Sequence, residues 1–113
     1  MKMRAAVVLA LFAAGCGPSA GANSRAVGAN CQSDQDCNNR CVTDDRFGGG
    51  MCTVSCTTDQ DCPDGAACIG RDGNVCAVSC ASDTECSDDF GRGWACKDEP
   101  HASGGDINVC RLP

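Results

Sequence analysis

The sequence predicts a small disulfide-rich fold: a tandem array of three short modules, each a helical turn plus a β-hairpin, with little regular secondary structure. Three observations predict it. The chain has 113 residues and 13 cysteines, above the roughly 8–10% at which a short chain reads as a disulfide scaffold. Twelve of those cysteines fall into three sets of four with a shared spacing. Large apolar residues beyond position 30 are few, among them Val42, Phe47, Met51, Ile69, Val75, Phe90, Trp94, Ile107 and Val109. A core built from them is small, and small cores need staples. The 42% hydrophobic content overstates it, because Cys, Ala and an N-terminal apolar run are counted in that figure.

The first element is not part of that fold. Met1–Arg4 carries Lys2 and Arg4, and Ala5–Ala14 is an unbroken apolar stretch. It is too short for a spanning helix, which needs roughly 20 apolar residues. Its length and basic flank fit the apolar region of an export signal. A buried core helix is the other reading, but nothing downstream offers an apolar face to receive it. The stretch closes on Phe12-Ala13-Ala14-Gly15-Cys16, which resembles the lipobox of bacterial lipoproteins, with Ala13 where Leu is commonest. The resemblance implies cleavage after residue 15 and lipidation of Cys16. Gly17 in place of Asp implies sorting to the outer membrane. The rival is cleavage at Ala20-Gly21-Ala22 and soluble secretion. Residues 16–30 then supply the lipidated cysteine and a Gly/Ala/Ser-rich stretch that reads as a flexible tether.

The three modules span 31–55, 56–79 and 80–113. They open with Cys31-Gln-Ser-Asp-Gln-Asp-Cys37, Cys56-Thr-Thr-Asp-Gln-Asp-Cys62 and Cys80-Ala-Ser-Asp-Thr-Glu-Cys86. The common pattern is C-x-[ST]-D-x-[DE]-C. Each module adds a third cysteine (Cys41, Cys68, Cys96) and a fourth (Cys52, Cys76, Cys110). The joints repeat too, as Cys52-Thr-Val-Ser-Cys56 and Cys76-Ala-Val-Ser-Cys80. Such self-similarity marks an array of units too small to bury much alone.

Within a unit, Ser33 with Asp36, Thr58 with Asp61 and Ser82 with Glu85 have capping-box spacing, so a helical turn is expected between the first two cysteines. Gly48–Gly50, Gly70–Gly73 and Gly104–Asp106 supply turn geometry between the third and fourth, so a hairpin is expected there. The extra length of 87–108 reads as loop.

Disulfides are preferred to metal. Zinc sites favour C-x₂-C or C-x₄-C pairs, whereas the short gaps here are of three and five residues, and His101 is the single histidine. An export signal leads to an oxidising compartment, where thiols pair. Four cysteines allow three pairings per unit. The crossed one–three, two–four pattern ties the opening turn to both hairpin strands. Nested and inter-unit pairings stay open at this point.

The repeat pattern, with Cys62-Pro63-Asp-Gly-Ala-Ala-Cys68 in the second unit, resembles the Dickkopf N-terminal cysteine-rich region and similar repeats of bacterial surface lipoproteins. The likeness covers 31–113. Asn38 and Ser87 stand where the second unit has Pro63. The resemblance implies structural and interaction modules without catalytic residues.

Function follows from what is present. Net charge is −6, and about −8 once a leader takes away the two positive charges of Lys2 and Arg4. No basic cluster remains, which argues against nucleic acid. The expected role is that of an exported envelope lipoprotein, anchored to the membrane by lipid. Its stapled repeats form a surface binding or structural module for a protein or glycan ligand, with no cofactor and no catalysis. The least repetitive residues are the contact candidates: Arg46, Phe47, Arg71, Asp72, Phe90, Arg92 and Trp94. Phe90 and Trp94 can equally well pack the third unit, and the arginines can be ordinary exposed charges. Two alternatives are a secreted protease inhibitor that presents Arg71 on a rigid hairpin tip, and a calcium module. The calcium module would use Asp34/Asp36, Asp59/Asp61 and Asp83/Glu85, although calcium wants six to eight oxygens. A catalytic role would need a base, and His101 has no recognisable partner in its own stretch.

Overall fold

The computed structural model describes residues 19–113. Cys16 and the stretch read above as an export signal lie outside them. Each unit opens on a short turn and continues into a two-stranded antiparallel hairpin. The turns are 3₁₀ in the first two units, at Asp34–Asp36 and Asp59–Asp61. The hairpins pair β1 (Arg40–Val42) with β2 (Met51–Thr53), β3 (Ala66–Ile69) with β4 (Val75–Val78), and β5 (Ala95–Pro100) with β6 (Asp106–Arg111).

The third unit departs from the sequence expectation. Its opening turn runs on as a helix, α1 (Asp83–Phe90), and its strands are six residues long. Much of the length expected as loop is therefore helix and strand. Ser82 caps α1, and Ser87, Asp88, Asp89 and Phe90 continue it past Cys86 without a proline or glycine until Gly91. The second unit's turn meets Pro63 at the same point, and proline resists helix continuation.

The motif residues do local work. In all three turns the acid closes back on the backbone ahead of it. Asp36 accepts from the Gln32 and Ser33 N–H groups, Asp61 from Thr57 and Thr58, and Glu85 from Ala81 and Ser82. The shared Asp of the motif has a second role that spacing did not suggest. Asp34 Oδ1 accepts from Cys41 N, Asp59 Oδ1 from Cys68 N, and Asp83 Oδ1 from Cys96 N, each at 2.8 Å. Each bond pins the turn to the strand that carries the third cysteine.

The disulfides act at the same place. They join Cys31–Cys41 and Cys37–Cys52, Cys56–Cys68 and Cys62–Cys76, and Cys80–Cys96 and Cys86–Cys110. Hairpin register explains the crossed pattern. Cys41 stands opposite Cys52, Cys68 opposite Cys76, and Cys96 opposite Cys110. Directly opposed residues share a sheet face, so both sulfurs of a hairpin point toward the turn and each takes one of its cysteines. The cross-links close loops of 10 to 24 residues, worth about 3 kcal/mol each in the chain-entropy model.

The units do not form an open row. Joint residues pair with the following hairpin: Cys56 N donates to Asn74 O and Cys76 N to Val54 O, and Cys80 N donates to Asn108 O. The buried Thr53 hydroxyl donates to Cys76 O at 2.6 Å. The third unit then returns to the first, where Leu112 N donates to Arg46 O. One apolar cluster lies at the centre. It draws Val42, Phe47 and Met51 from the first unit, Ile69, Val75 and Ala77 from the second, and Val109 from the third. Single side chains of this kind contribute roughly 1.5–3 kcal/mol each, so the six cross-links stabilise the fold on the same scale as the core.

Residues 19–30 are not a flexible tether. Val27 is fully buried, against Val78, Cys76, Cys86 and Cys110. Gly28 N donates to Cys52 O, Cys52 N to Ala29 O, and Ala20 N to Asp64 O. Arg25 Nε donates to Asp36 O. The compositional signal is real, but one buried valine and a set of backbone bonds override it. Gly28 is required by this docking, since a Cβ there would stand 1.9 Å from Gly21 O.

Replacing the motif aspartates should show their second role. Asp34→Ala and Asp83→Ala each leave a cysteine N–H without its carboxylate, at an expected cost of about 1 kcal/mol. Denaturant unfolding with the disulfides intact reads the loss, and Asp59→Ala should cost the most because it also releases His101.

Candidate functional site

Two features lie between units: a cluster of charges where all three meet, and an aromatic cleft between the first and the third. The charge cluster centres on Glu99, in β5 opposite Ile107. Its side chain has no exposure, yet it is ionisable and takes a position where an apolar residue would ordinarily pack. Three guanidiniums surround it, one from each unit. Arg71 Nε donates to Glu99 Oε1 at 2.5 Å, Arg111 Nε lies 2.6 Å from Oε2, and Arg46 Nε lies 3.8 Å from Oε2. The Arg111 contact is close but poorly aligned, so Oε2 and Arg111 Nε lack a hydrogen bond in this geometry. The pairing with Glu99 raises the Arg71 pKa further above its ordinary value.

A second carboxylate pair borders the cluster. Burial, and then the neighbouring Asp44 charge, push the Asp72 carboxyl up. At Asp44 burial acts in the same direction, but the Arg46 backbone N–H and guanidinium outweigh it, and the net shift is downward. Arg46 Nη1 is 3.0 Å from Asp44 Oδ2. Asp72 sits at the tip of the second hairpin with φ of 51°.

A further inter-unit contact joins the second and third units. His101, in the β5–β6 loop, places Nε2 at 2.9 and 3.0 Å from the Asp59 carboxylate oxygens. Ser103 Oγ lies 3.1 Å from His101 Nδ1. The Cys68 N–H, followed by His101, holds the Asp59 carboxyl below its usual range. Ala102 N donates to Cys68 O alongside. The chain Ser103–His101–Asp59 thus fastens the third hairpin's tip to the second unit's opening turn.

The cleft is built from three parts of the chain. Phe90 ends α1, the Gly91–Gly93 turn follows, and Trp94 N donates back to Gly91 O. This reversal stacks Phe90 on Trp94, with ring centroids 4.4 Å apart and planes 17° from parallel. Both rings are half-buried. The first unit's loop adds Phe47, Gly48 and Gly50, and the docked N-terminal segment adds Ala22, Gly28 and Asn30. The cleft is open to solvent and holds about 250 Å³. Cys31 N donates to Gly50 O, and Asn30 Nδ2 donates to the same carbonyl at 3.3 Å. Gly50 is obligatory, because a Cβ would lie 1.9 Å from Cys31 O.

The sequence candidates therefore separate. Phe47, Phe90 and Trp94 come together in the cleft, where Phe47 is also core and the other two both pack and line. Arg46 and Arg71 are drawn to Glu99, so Arg71 does not stand free at a hairpin tip as an inhibitor's specificity residue would. Arg92 is exposed in the glycine turn. The acids proposed for calcium are occupied: backbone N–H groups of Gln32 and Ser33 hold Asp36 below its usual range, and those of Thr57 and Thr58 do the same for Asp61. The close cysteine triplets Cys31/Cys37/Cys41, Cys56/Cys62/Cys76 and Cys80/Cys86/Cys110 are disulfide sulfurs, not free thiols.

Glu99, Arg111, Asp44 and Asn30 were not singled out from sequence. Their partners lie in other units, and no local spacing announces them. The one available signal was an acid in a strand at a position facing a core neighbour.

No protein-family model, curated protein or solved structure matches the chain. The likeness to Dickkopf-type repeats therefore rests on cysteine spacing and the acidic motif alone. This is a small cysteine-rich protein of three stapled units, a build typical of extracellular structural and binding modules. Six disulfides point to an oxidising extracellular or envelope location. Among the described residues, no helix is long and apolar enough to cross a membrane.

Two predictions follow from the charges. Removing a buried charge partner costs roughly 3–5 kcal/mol when all groups are buried; Arg46 and Arg71 are 39% and 38% exposed, which reduces this. Glu99→Gln should lower stability by about 2 kcal/mol, read as a lower denaturant midpoint. The second concerns pH. Asp36, Asp44, Asp59 and Asp61 have folded values below the ordinary 3.8. Their contribution is present above that value and is lost as pH falls through the depressed ones. Asp72 is raised and acts in the opposite sense. Four groups against one predict a midpoint that falls as the solution is acidified below about pH 4.

Proposed function

We propose that the chain is an exported lipoprotein of the bacterial envelope, held to the membrane through Cys16, whose three-unit head is a non-catalytic binding module. The aromatic cleft is its ligand site, and the cleft is the observation that carries the reading. Half-buried rings, glycine backbone and one carboxamide converge in a bounded concavity, the usual make-up of a small-ligand site. The rigid frame around it supports that role, because a preformed site loses little entropy on binding.

The export signal and the Phe12–Cys16 stretch support the anchor. With Cys16 acylated, only Gly17 and Pro18 separate the lipid from Ser19, which pairs with Asp64 in the second unit. The three steps from Cys16 to Ser19 reach roughly 11 Å. The head would then rest close to the bilayer, with the second unit's Asp64 region nearest to it, rather than stand off on a stalk.

The Ser103–His101–Asp59 chain has the residue types of a hydrolytic triad. Three features favour a structural role. Asp59 spends Oδ1 on the Cys68 N–H, Ser103 is two residues from its histidine in one loop, and the cleft is lined by other residues.

Intact mass before and after reduction and alkylation tests the anchor. The expected result is a chain starting at Cys16 with an acyl increment, and twelve cysteines alkylated only after reduction. An unacylated chain starting near Asn23 would refute it. A fragment panel followed by amide NMR tests the module: binders should move the Trp94 indole N–H and the Asn30 carboxamide. A panel that leaves both unmoved removes the ligand-site reading.

A further inference from the structure

We infer that the cleft takes a neutral sugar ring, an inference that rests on the binding-module reading above. The lining contains no ionisable side chain. An anion entering it would lose hydration without gaining a counter-charge, which is costly, and the carboxylate beside it, Asp89, already accepts from Ala22 N. The ligand is therefore uncharged. It must also be two-faced. The stacked Phe90–Trp94 pair presents flat apolar carbon, which favours a flat apolar surface laid against it. The rest of the lining offers hydrogen-bonding groups. Asn30 uses one amide hydrogen on Gly50 O, and a carboxamide carries a second donor hydrogen and two acceptor lone pairs. Gly48 has no side chain to screen its backbone, whereas the Gly50 N–H and carbonyl are already engaged by Phe47 O, Cys31 N and Asn30 Nδ2.

A pyranose has this chemistry, with a C–H face for the rings and a rim of hydroxyls for the amide and backbone. Size agrees. About 250 Å³ is below the roughly 300–1,000 Å³ of sites for drug-sized ligands and suits one ring. A proline-rich peptide also docks on aromatic rings, but it needs an extended groove that repeats along its length. Here the segment from Ala22 to Asn30 closes one side of the cleft.

The position of Trp94 makes the test direct. It is the only tryptophan, and tyrosine is absent, so intrinsic fluorescence reports the cleft itself. The full chain is titrated with glucose, N-acetylglucosamine and cellobiose, and in parallel with glucuronate, glucosamine and a proline-rich peptide. Saturable change with at least one neutral sugar is expected, together with weaker binding of the charged analogues. Asn30→Ala should weaken the sugar about tenfold with only the small fall in thermal midpoint that loss of its bond to Gly50 O brings. Because Trp94→Ala could loosen the third unit, Asn30→Ala carries the test. No saturation by any neutral sugar up to about 50 mM overturns the assignment. If the peptide or a charged analogue saturates instead, the cleft remains a ligand site and the sugar is wrong. If fragments also fail, both readings fall together. An affinity unaffected by Asn30→Ala also overturns the assignment.

Discussion

Everything in this protein depends on the crossed pair of disulfides that binds each opening turn to both strands of its hairpin. Two-stranded hairpins of three or four residues per strand are marginal alone, and so is a single turn of 3₁₀ helix. Each supplies what the other lacks. The hairpin sets two sulfurs side by side on one face, as with Cys68 opposite Cys76, and the turn presents Cys56 and Cys62 to them. The motif aspartate braces the same junction without a covalent bond, Asp59 receiving the Cys68 N–H. Cross-link and hydrogen bond therefore define one geometry three times over.

The second level of organisation is the closing of three units around a shared centre. Apolar side chains from all of them meet there, and the buried Glu99 carboxylate gathers one arginine from each. Buried ion pairs are weak evidence for stability as such. Their value here is orientation, because Glu99 gathers its full set of guanidiniums only when all three units are in place. The cleft is a consequence. Its walls come from the first unit, the third unit and the segment before them, so no single unit contains it.

Much of the local structure was legible in the sequence. The S/T-x-x-D/E spacing located the turns, and Gly48–Gly50 and Gly70–Gly73 located the hairpins. The cysteine repeat set the unit boundaries. What escaped is long-range. Nothing near Glu99 points to Arg46 or Arg71, and the single Val27 in a Gly/Ala/Ser stretch does not reveal that the stretch docks. The Asp–Cys N–H bond was hidden because the turn alone already explained the acids. His101 seemed alone because Asp59 lies in another unit. Of the cleft, the aromatic residues were visible as candidates; Asn30 and the glycine walls were not, since they depend on closure.

The central claim is that covalent cross-links do for this chain what buried hydrocarbon does for ordinary domains. Stepwise reduction of the native protein under non-denaturing conditions tests it most directly, with Trp94 fluorescence and near-ultraviolet circular dichroism followed against the number of thiols released. The account predicts that tertiary signal collapses as the cysteines open and returns only on reoxidation. A fully reduced chain that kept its Trp94 environment and its dichroism would contradict it.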